Sequence, residues 1–418
     1  MENESFKQEG FCSKCHGLLT GGALVLFVCL QIYFSSDVGG SDVPSSLPTF
    51  NLEEITSRLT QNPPYLNATL TTKEASSSFG ACLLTMEDNH LLYEWLAYHY
   101  TLLPLSYVVI GNDRNNMQDP RDVLSLWDDV PDIRYWIVNA SDFDRYPDKN
   151  PKANSSPKQI AHSALVNRQK GFITTCLSRL KQENVRWVVL SDTDEYFVLH
   201  RLTNDDTPAT PHLSNRSYHV RSRFPPPDES DNTTIADILE TFDKKKNLEI
   251  GPCYVLPRLL VGALENRTCA DHYGQNVSPD STELRRHLLT LRFVQHAPKG
   301  EFEYSKYGKP LLDLHRIDND TLHSKPKSIH RPFKNLCPFA FSHFPDSLFY
   351  LNHYIGTWEQ YSSRKDARRN RDEWEKRAYV DTPTNGSTCD QSIHWWVPRF
   401  FGKVGRKKGR KLLGLHEA

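Results

Sequence analysis

Hydrophobic and polar positions divide the chain into regimes with different periods. From Gly17 to Phe34 (GLLTGGALVLFVCLQIYF) no charged residue interrupts 18 positions, close to the ~20 apolar residues a helix needs to cross a bilayer. This predicts a membrane-spanning helix. The following stretch, Ser35 to Ser78, is rich in Ser, Thr, Pro, Asn and Gly and shows little periodicity apart from Leu52 to Leu59, so it reads as a stem. Regular patterning begins at Phe79: FGACLLT predicts a buried strand, His90 to Leu103 has helical spacing, and LSYVVIG predicts a second strand ending near Asp113. Strand, helix, strand is the signature of a parallel α/β sheet. A strand at Ile133 to Val138, a long helix over Ile160 to Lys181 and the apolar run from Trp187 to Leu199 (WVVLSDTDEYFVL) continue it.

The second half predicts strands at Ser217 to Phe224, Cys253 to Leu260, Leu288 to Val294 and Leu311 to Ile317, and a polar helix near Trp358 to Ala378. These suit a mixed extension of the sheet. The basic stretch Lys403 to Lys411 (KVGRKKGRK) reads as a solvated tail, with contact to an anionic glycan or lipid head group as the other reading. The expected organisation is a cytosolic tail over 1–16, an anchor over 17–34, a lumenal stem over 35–78, an α/β domain over 79–402 and a basic tail over 403–418.

Charge, cysteine and sequon placement refine this picture. Lys+Arg number 50 against 51 Asp+Glu, a formal charge of -1, so no global field draws the protein to nucleic acid, which is not expected as a partner. Lys7 and Lys14 precede the apolar span and no Lys or Arg follows it until Arg58. The positive-inside rule then places the N-terminus in the cytosol, a type II topology. The competing reading is a cleaved signal peptide with a small-residue site at Val38-Gly39-Gly40, for which the apolar stretch is long. Cys82, Cys176, Cys253, Cys269, Cys337 and Cys389 follow the span, an even set suited to an oxidising lumen, with the pairing open. Asn-x-Ser/Thr sites at Asn67, Asn139, Asn154, Asn215, Asn232, Asn266, Asn276, Asn319 and Asn385 all fall on the same side. Cys12-Ser13-Lys14-Cys15-His16 matches a haem-attachment pattern, but it sits in a short tail with no domain to bury a haem, and juxtamembrane thiols explain it better.

The chemistry concentrates at Asp192, Asp194 and Glu195, three carboxylates at the end of the apolar run Trp187 to Leu190. Ligands of open α/β sheets bind outside the carboxyl ends of the strands. In extended geometry Asp192 and Asp194 would point to one side with Thr193 opposite, able to address one cation. Carboxylate oxygens suit hard ions such as Mn²⁺ or Mg²⁺ and leave coordination positions for phosphate oxygens and water. Such an ion helps cleave a sugar-diphosphate bond by neutralising charge on the departing nucleoside diphosphate. The plain alternative is a turn that caps a strand.

The local motifs resemble glycosyltransferase family 92, including its algal-type relatives. The resemblance is carried by Glu87-Asp88-Asn89, Glu94-Trp95, Tyr98-His99, Gly111-Asn112-Asp113, Gln169, Cys176-Leu177, the SDTDEY segment and His353-Tyr354, patchily over Phe79 to Phe401. Arg258 and Val261-Gly262 depart from the family pattern, so acceptor identity does not carry over. The resemblance implies a GT-A-like fold, a mostly parallel mixed sheet flanked by helices, in a Golgi type II membrane glycosyltransferase. It implies inverting hexosyl transfer, with galactose from UDP-galactose suggested as donor and a glycan or glycoprotein as acceptor. In that frame Asp192 and Asp194 hold the metal and diphosphate, and His353 supplies a third metal ligand, although a lone His is more often structural. Glu195 orients the metal shell or sugar, or else stabilises its turn. Asp113 contacts ribose or base, or forms an Asx turn; Arg168 and Lys327 meet phosphate oxygens, or are solvated. Inversion requires a base for the acceptor hydroxyl; Glu265 is the candidate, with Asp271, Glu303 and Glu359 competing. Two other classes compete: a non-catalytic lumenal glycan-binding or scaffold protein retaining the fold, and a metal-dependent phosphoesterase, which would want more clustered His and Asp ligands.

Overall fold

The structure, a computed structural model, describes residues 78–103, 105–144, 155–200, 235, 238–239, 251–263, 279–297, 305, 307–337, 347–363, 369–379, 388–389 and 393–415. The unit Met1–Asn67 lies outside these residues, and with it the expected membrane span; everything described belongs to the unit Ala68–Ala418. The strand expected at Ser217 to Phe224 and the candidate bases Glu265, Asp271 and Glu303 also lie outside. Among the described residues no helix is long and apolar enough to cross a membrane.

The first half folds as its periodicity predicts. Strands β1 (Phe79–Thr85), β2 (Leu105–Asn112), β3 (Arg134–Asn139) and β4 (Trp187–Leu190) are parallel, and β6 (Cys253–Leu256) and β9 (Lys309–Asp313) add antiparallel strands, in the order β3-β2-β1-β4-β9-β6. This is a mixed, mostly parallel sheet flanked by helices. The period of two sends alternate residues into two cores. Phe79, Ala81 and Leu83 of β1, Val108 and Ile110 of β2, and Trp187 and Val189 of β4 pack on one face, with helix α1 (Asn89–Leu102). Cys82, Val109, Val188 and Leu190 pack on the other, against Phe172, Ile173, Cys176, Leu177 and Leu180 of helix α2 (Pro157–Gln182). Burial on both faces explains why these strands read as unbroken apolar runs.

Helix α2 starts where local chemistry tells it to. Ser156 accepts a hydrogen bond from the Gln159 backbone N–H, Gln159 reaches back to the Ser156 N–H, and Pro157 occupies the first turn. A disulfide between Cys82 and Cys176 ties β1 to α2, and a second joins Cys253 to Cys337. Gly111 permits the close approach of α2, since a Cβ there would lie 2.6 Å from the Phe172 ring.

A second sheet runs β11-β8-β7-β10-β5, from β5 (Glu195–Leu199), β7 (Arg258–Val261), β8 (Gln295–His296), β10 (Phe349–Tyr354) and β11 (Thr388–Cys389). Only its β7–β10 pairing is parallel. The chain passes from the first sheet to the second between β4 and β5.

Several expectations are corrected in the second half. The run expected as one strand over Cys253 to Leu260 is two strands in different sheets, broken at Pro257, which has no N–H for a ladder. Leu288 to Val294, expected as a strand, contains a helical turn at Leu289–Arg292. The polar segment from Trp358 forms two helices, Trp358–Ser363 and Arg371–Ala378. The basic stretch from Lys403 is no solvated tail. It belongs to helices α3 (Trp396–Val404) and α4 (Arg406–Leu412), packed on the core through Phe400, Leu412 and Leu413. Lys403 lies 3.6 Å from the centre of the Tyr100 ring, and Arg410 meets Glu283 at 2.8 Å. Asn139 and Asn319, two of the sequon asparagines, are exposed.

Glu94 explains the helical turn and yields a pH prediction. Its buried carboxylate accepts the backbone N–H groups of Leu289 and Thr290 at 2.6 and 2.9 Å and the Thr290 hydroxyl at 2.6 Å, so it caps that turn from α1. Burial raises its pKa from 4.5 to about 7, against the opposing hydrogen bonds. Between these two values the native state holds a proton that the unfolded chain has lost. The stability this group contributes is therefore complete below 4.5 and is lost as pH rises through about 7. Urea midpoints of the wild type should fall relative to those of Glu94→Gln from about pH 5 to about pH 8; parallel profiles would refute the assignment.

Candidate functional site

The carboxylates lie in a turn at the carboxyl edge of the parallel sheet. Glu195 N–H donates to Asp192 O at 3.1 Å, closing Asp192–Glu195 as a four-residue turn between β4 and β5. Asp192 and Asp194 are thus not on one extended strand, and the same-side expectation drawn from strand geometry does not apply. Chain reversal turns the two carboxylates toward different partners.

Asp192 meets a lysine. The ammonium of Lys309, 3% exposed, lies 2.8 Å from Asp192 Oδ2 and 3.3 Å from Glu195 Oε2. The antiparallel register Val189↔Leu311 explains this, because it carries Lys309 at the head of β9 alongside the turn. Burial, the largest single influence, would raise the Asp192 carboxyl, but the charge and hydrogen bond of Lys309 together with the charge of Arg258 hold the group below the usual carboxylate range. Burial likewise works against the Lys309 ammonium, yet the two carboxylates keep its pKa raised. The lysine is a fixed cation in this site.

Glu195 faces inward. It is fully buried, its Oε2 accepts the Asp192 N–H at 2.9 Å, and its Oε1 accepts Arg258 Nη1 at 3.0 Å. Of its two expected roles the geometry is that of a carboxylate bracing its own turn. Arg258, a departure from the family pattern, has its explanation here as the counter-charge of Glu195.

Asp194 meets His353. Strand β10 pairs with β5 so that His353 stands opposite Glu195, and Tyr354 N–H donates to Asp194 O at 2.9 Å. His353 Nε2 and Asp194 Oδ1 are then 3.8 Å apart. That is too long for a hydrogen bond; donors about 2.1 Å from one hard divalent ion at adjacent octahedral positions stand about 3.0 Å apart, so an ion held here would draw the two side chains together by about 0.8 Å. Burial lowers the His353 pKa to about 3, against the pull of Asp194, so the imidazole is neutral as a metal ligand must be. Its Nδ1 is buried and has no hydrogen-bond partner among the described residues. Among the described residues no group of three or more His, Cys, Asp or Glu is gathered as a complete metal site. Asp194 and His353 are two donors of the right chemistry, and a divalent ion held by them would take its other ligands from phosphate oxygens and water.

The turn is gripped from behind by α1. Trp95 Nε1–H donates to Glu195 O at 3.0 Å, Tyr98 O–H donates to Phe197 O at 2.7 Å, and Phe197 N–H donates to His99 Nε2 at 3.2 Å. His99 Nδ1 meets Trp95 O at 2.8 Å, and burial lowers its pKa to about 3, so the neutral ring donates from Nδ1 and accepts at Nε2. Of the Glu-Trp and Tyr-His pairs read from sequence, Trp95, Tyr98 and His99 thus serve β5 and the turn, while Glu94 caps the helical turn at Leu289.

The remaining candidates are placed as follows. Arg168 Nε donates to Asp113 Oδ2 at 3.0 Å, with side chains 6% and 1% exposed, so the two residues expected to meet the nucleotide meet each other. Asp113 Oδ1 also accepts Asn115 N–H at 3.0 Å, the Asx turn named as its alternative. Lys327 is exposed on the loop after Ser324, and Glu359 is exposed at the start of its helix. Lys309 escaped sequence reasoning, and its only signal was a lone cation heading an apolar strand. A small pocket of about 30 Å³ adjoins the turn, lined by Gln169, Ser191, Asp192, Lys309 and Ile329 among others.

No protein-family model and no curated protein sequence matches the chain. A solved structure of an active-site mutant of LgtC is similar at 11% identity, covering 73% of this chain and 85% of that one, with a TM-score of 0.19. Similarity at that level carries no assignment of fold or activity.

Proposed function

We propose that the protein is a glycosyltransferase of GT-A type that moves a hexose from a nucleotide sugar to a glycan or glycoprotein acceptor with inversion. The observation that carries this reading is the 3.8 Å gap between Asp194 Oδ1 and neutral His353 Nε2 at the carboxyl edge of β4. The family 92 resemblance of the SDTDEY and His-Tyr segments supports it. Asp194 and His353 would hold Mn²⁺ or Mg²⁺, which when bound neutralises charge on the departing diphosphate. Glu195, Arg258 and Lys309 fix the turn and set its charge before any ligand arrives, so little reorganisation is needed at the reacting centre. Asp192, whose side chain is 43% exposed, is the member of the turn that reaches solvent and can contact the donor. The acceptor base is assigned to the segment holding Glu265. The apolar span at 17–34, the sequons and the cysteines support a Golgi membrane protein of type II topology with UDP-galactose as donor.

Calorimetry of nucleotide sugars on the full-length protein, with and without Mn²⁺, followed by transfer assays, tests this. Metal-dependent binding of one UDP-sugar with sugar transfer is expected. Absence of binding by every nucleotide sugar would leave the glycan-binding alternative.

A further inference from the structure

The largest cavity among the described pockets is not the space at the carboxylate turn. A groove of about 830 Å³ runs between the first half of α2 and the loop from Ser324 to Leu336, within the ~300–1,000 Å³ of typical ligand sites. Lys170, Lys325, Lys327 and Lys334 line it and Asp320 is the carboxylate that joins them. In a chain whose formal charge is -1, this is a local excess of positive charge that focuses anions.

The loop that carries these lysines is held in shape without a ligand. Lys327 N–H donates to Pro332 O at 2.9 Å, Ser328 and Arg331 exchange backbone hydrogen bonds at 3.3 Å, and Arg331 Nη2 donates to Lys334 O at 2.9 Å. Arg331 Nε also donates to Cys337 O, and Cys337 is bonded to Cys253 of β6. Pro326 and Pro332 further limit the backbone. A loop already ordered loses little entropy on binding. Phe333 and Leu336 give the groove an apolar floor beside its cations.

We propose that this groove is a binding site for an oligoanion bearing phosphate or sulfate groups, distinct from the Asp194–His353 seat. The two places are neighbours: Gln169 and Ile329 line the small pocket against Asp192 and Lys309, and Lys170 and Lys327 of the same segments line the groove. Two sources supply that chemistry, a free phosphate or pyrophosphate and an acidic substituent of an acceptor saccharide. The site itself does not rest on the transferase reading.

The test is calorimetry on the full-length protein in EDTA, which silences any metal seat, with inorganic pyrophosphate and a heparin-derived disaccharide as probes. The triple variant Lys325→Glu/Lys327→Glu/Lys334→Glu alters exposed side chains, and a thermal midpoint like the wild type's shows that it folds. At least one probe should bind the wild type, more weakly as salt is raised, and lose at least about tenfold in affinity in the variant, as an electrostatic site of several lysines requires. Loss for pyrophosphate alone assigns the groove to a free phosphate ligand; loss for the disaccharide assigns it to an acidic acceptor. The neutral pair Lys327→Gln/Lys334→Gln should show a smaller loss in the same direction. If neither probe binds, or binding is equal in wild type and triple variant, the proposal is overturned whatever the transfer assays show.

Discussion

Asp194→Ala should abolish metal-dependent nucleotide binding and depress sugar transfer by more than the roughly 10–100-fold seen when a ligand's supporting partner is lost. The substitution removes one of the two donors that stand 3.8 Å apart and leaves His353 alone. The β5–β10 contact uses the Asp194 carbonyl, which alanine retains, and a thermal midpoint near that of the wild type checks that the fold survives. His353→Ala should reproduce the loss, and the double variant should be no worse than either single one, as expected for residues acting as a unit. Retention of Mn²⁺-dependent UDP binding in Asp194→Ala would remove the basis of the proposed function.

Lys309→Met should be the most destabilising substitution at the site. One ammonium serves two carboxylates, and Glu195 is fully buried. Breaking a buried pair typically costs about 3–5 kcal/mol because the remaining charge is stranded. Asp192, with a side chain 43% exposed, can turn to water, and Glu195 keeps Arg258, which places the expected cost near the lower bound, about 3 kcal/mol. Urea unfolding measures it. In a Glu195→Gln background the same substitution should cost less, since one of the two charges the lysine balances is gone, and the difference is the coupling between the two residues. An unchanged urea midpoint for Lys309→Met would show that the lysine does not hold the turn.

The first four strands and both long helices were legible because each announces itself locally. A strand buried on two faces is an apolar run, and Ser156 with Gln159 is a helix start whatever surrounds it. Expectations failed where a distant residue decides the local conformation. Leu288 to Val294 has the composition of a strand, yet the Glu94 carboxylate captures two of its N–H groups and makes a helical turn. The basic segment after Lys403 has a solvated composition, but its leucines and Phe400 seat it on the core. At the site, the Asp192 and Asp194 spacing was visible, whereas their partners come from β9 and β10, more than a hundred residues on. Spacing within one segment carries no record of such pairings. The separate placement of the two carboxylates follows from a turn that an alternating pattern could not distinguish from a strand.

Helix α3 covers α1, with α4 packed on α3, and α1 in turn holds the backbone of β5 through Trp95, Tyr98 and His99. The segment Trp396–Leu412 therefore bears on the carboxylate turn through α1 alone. Deleting it would unload the element that sets where Asp192 and Asp194 stand.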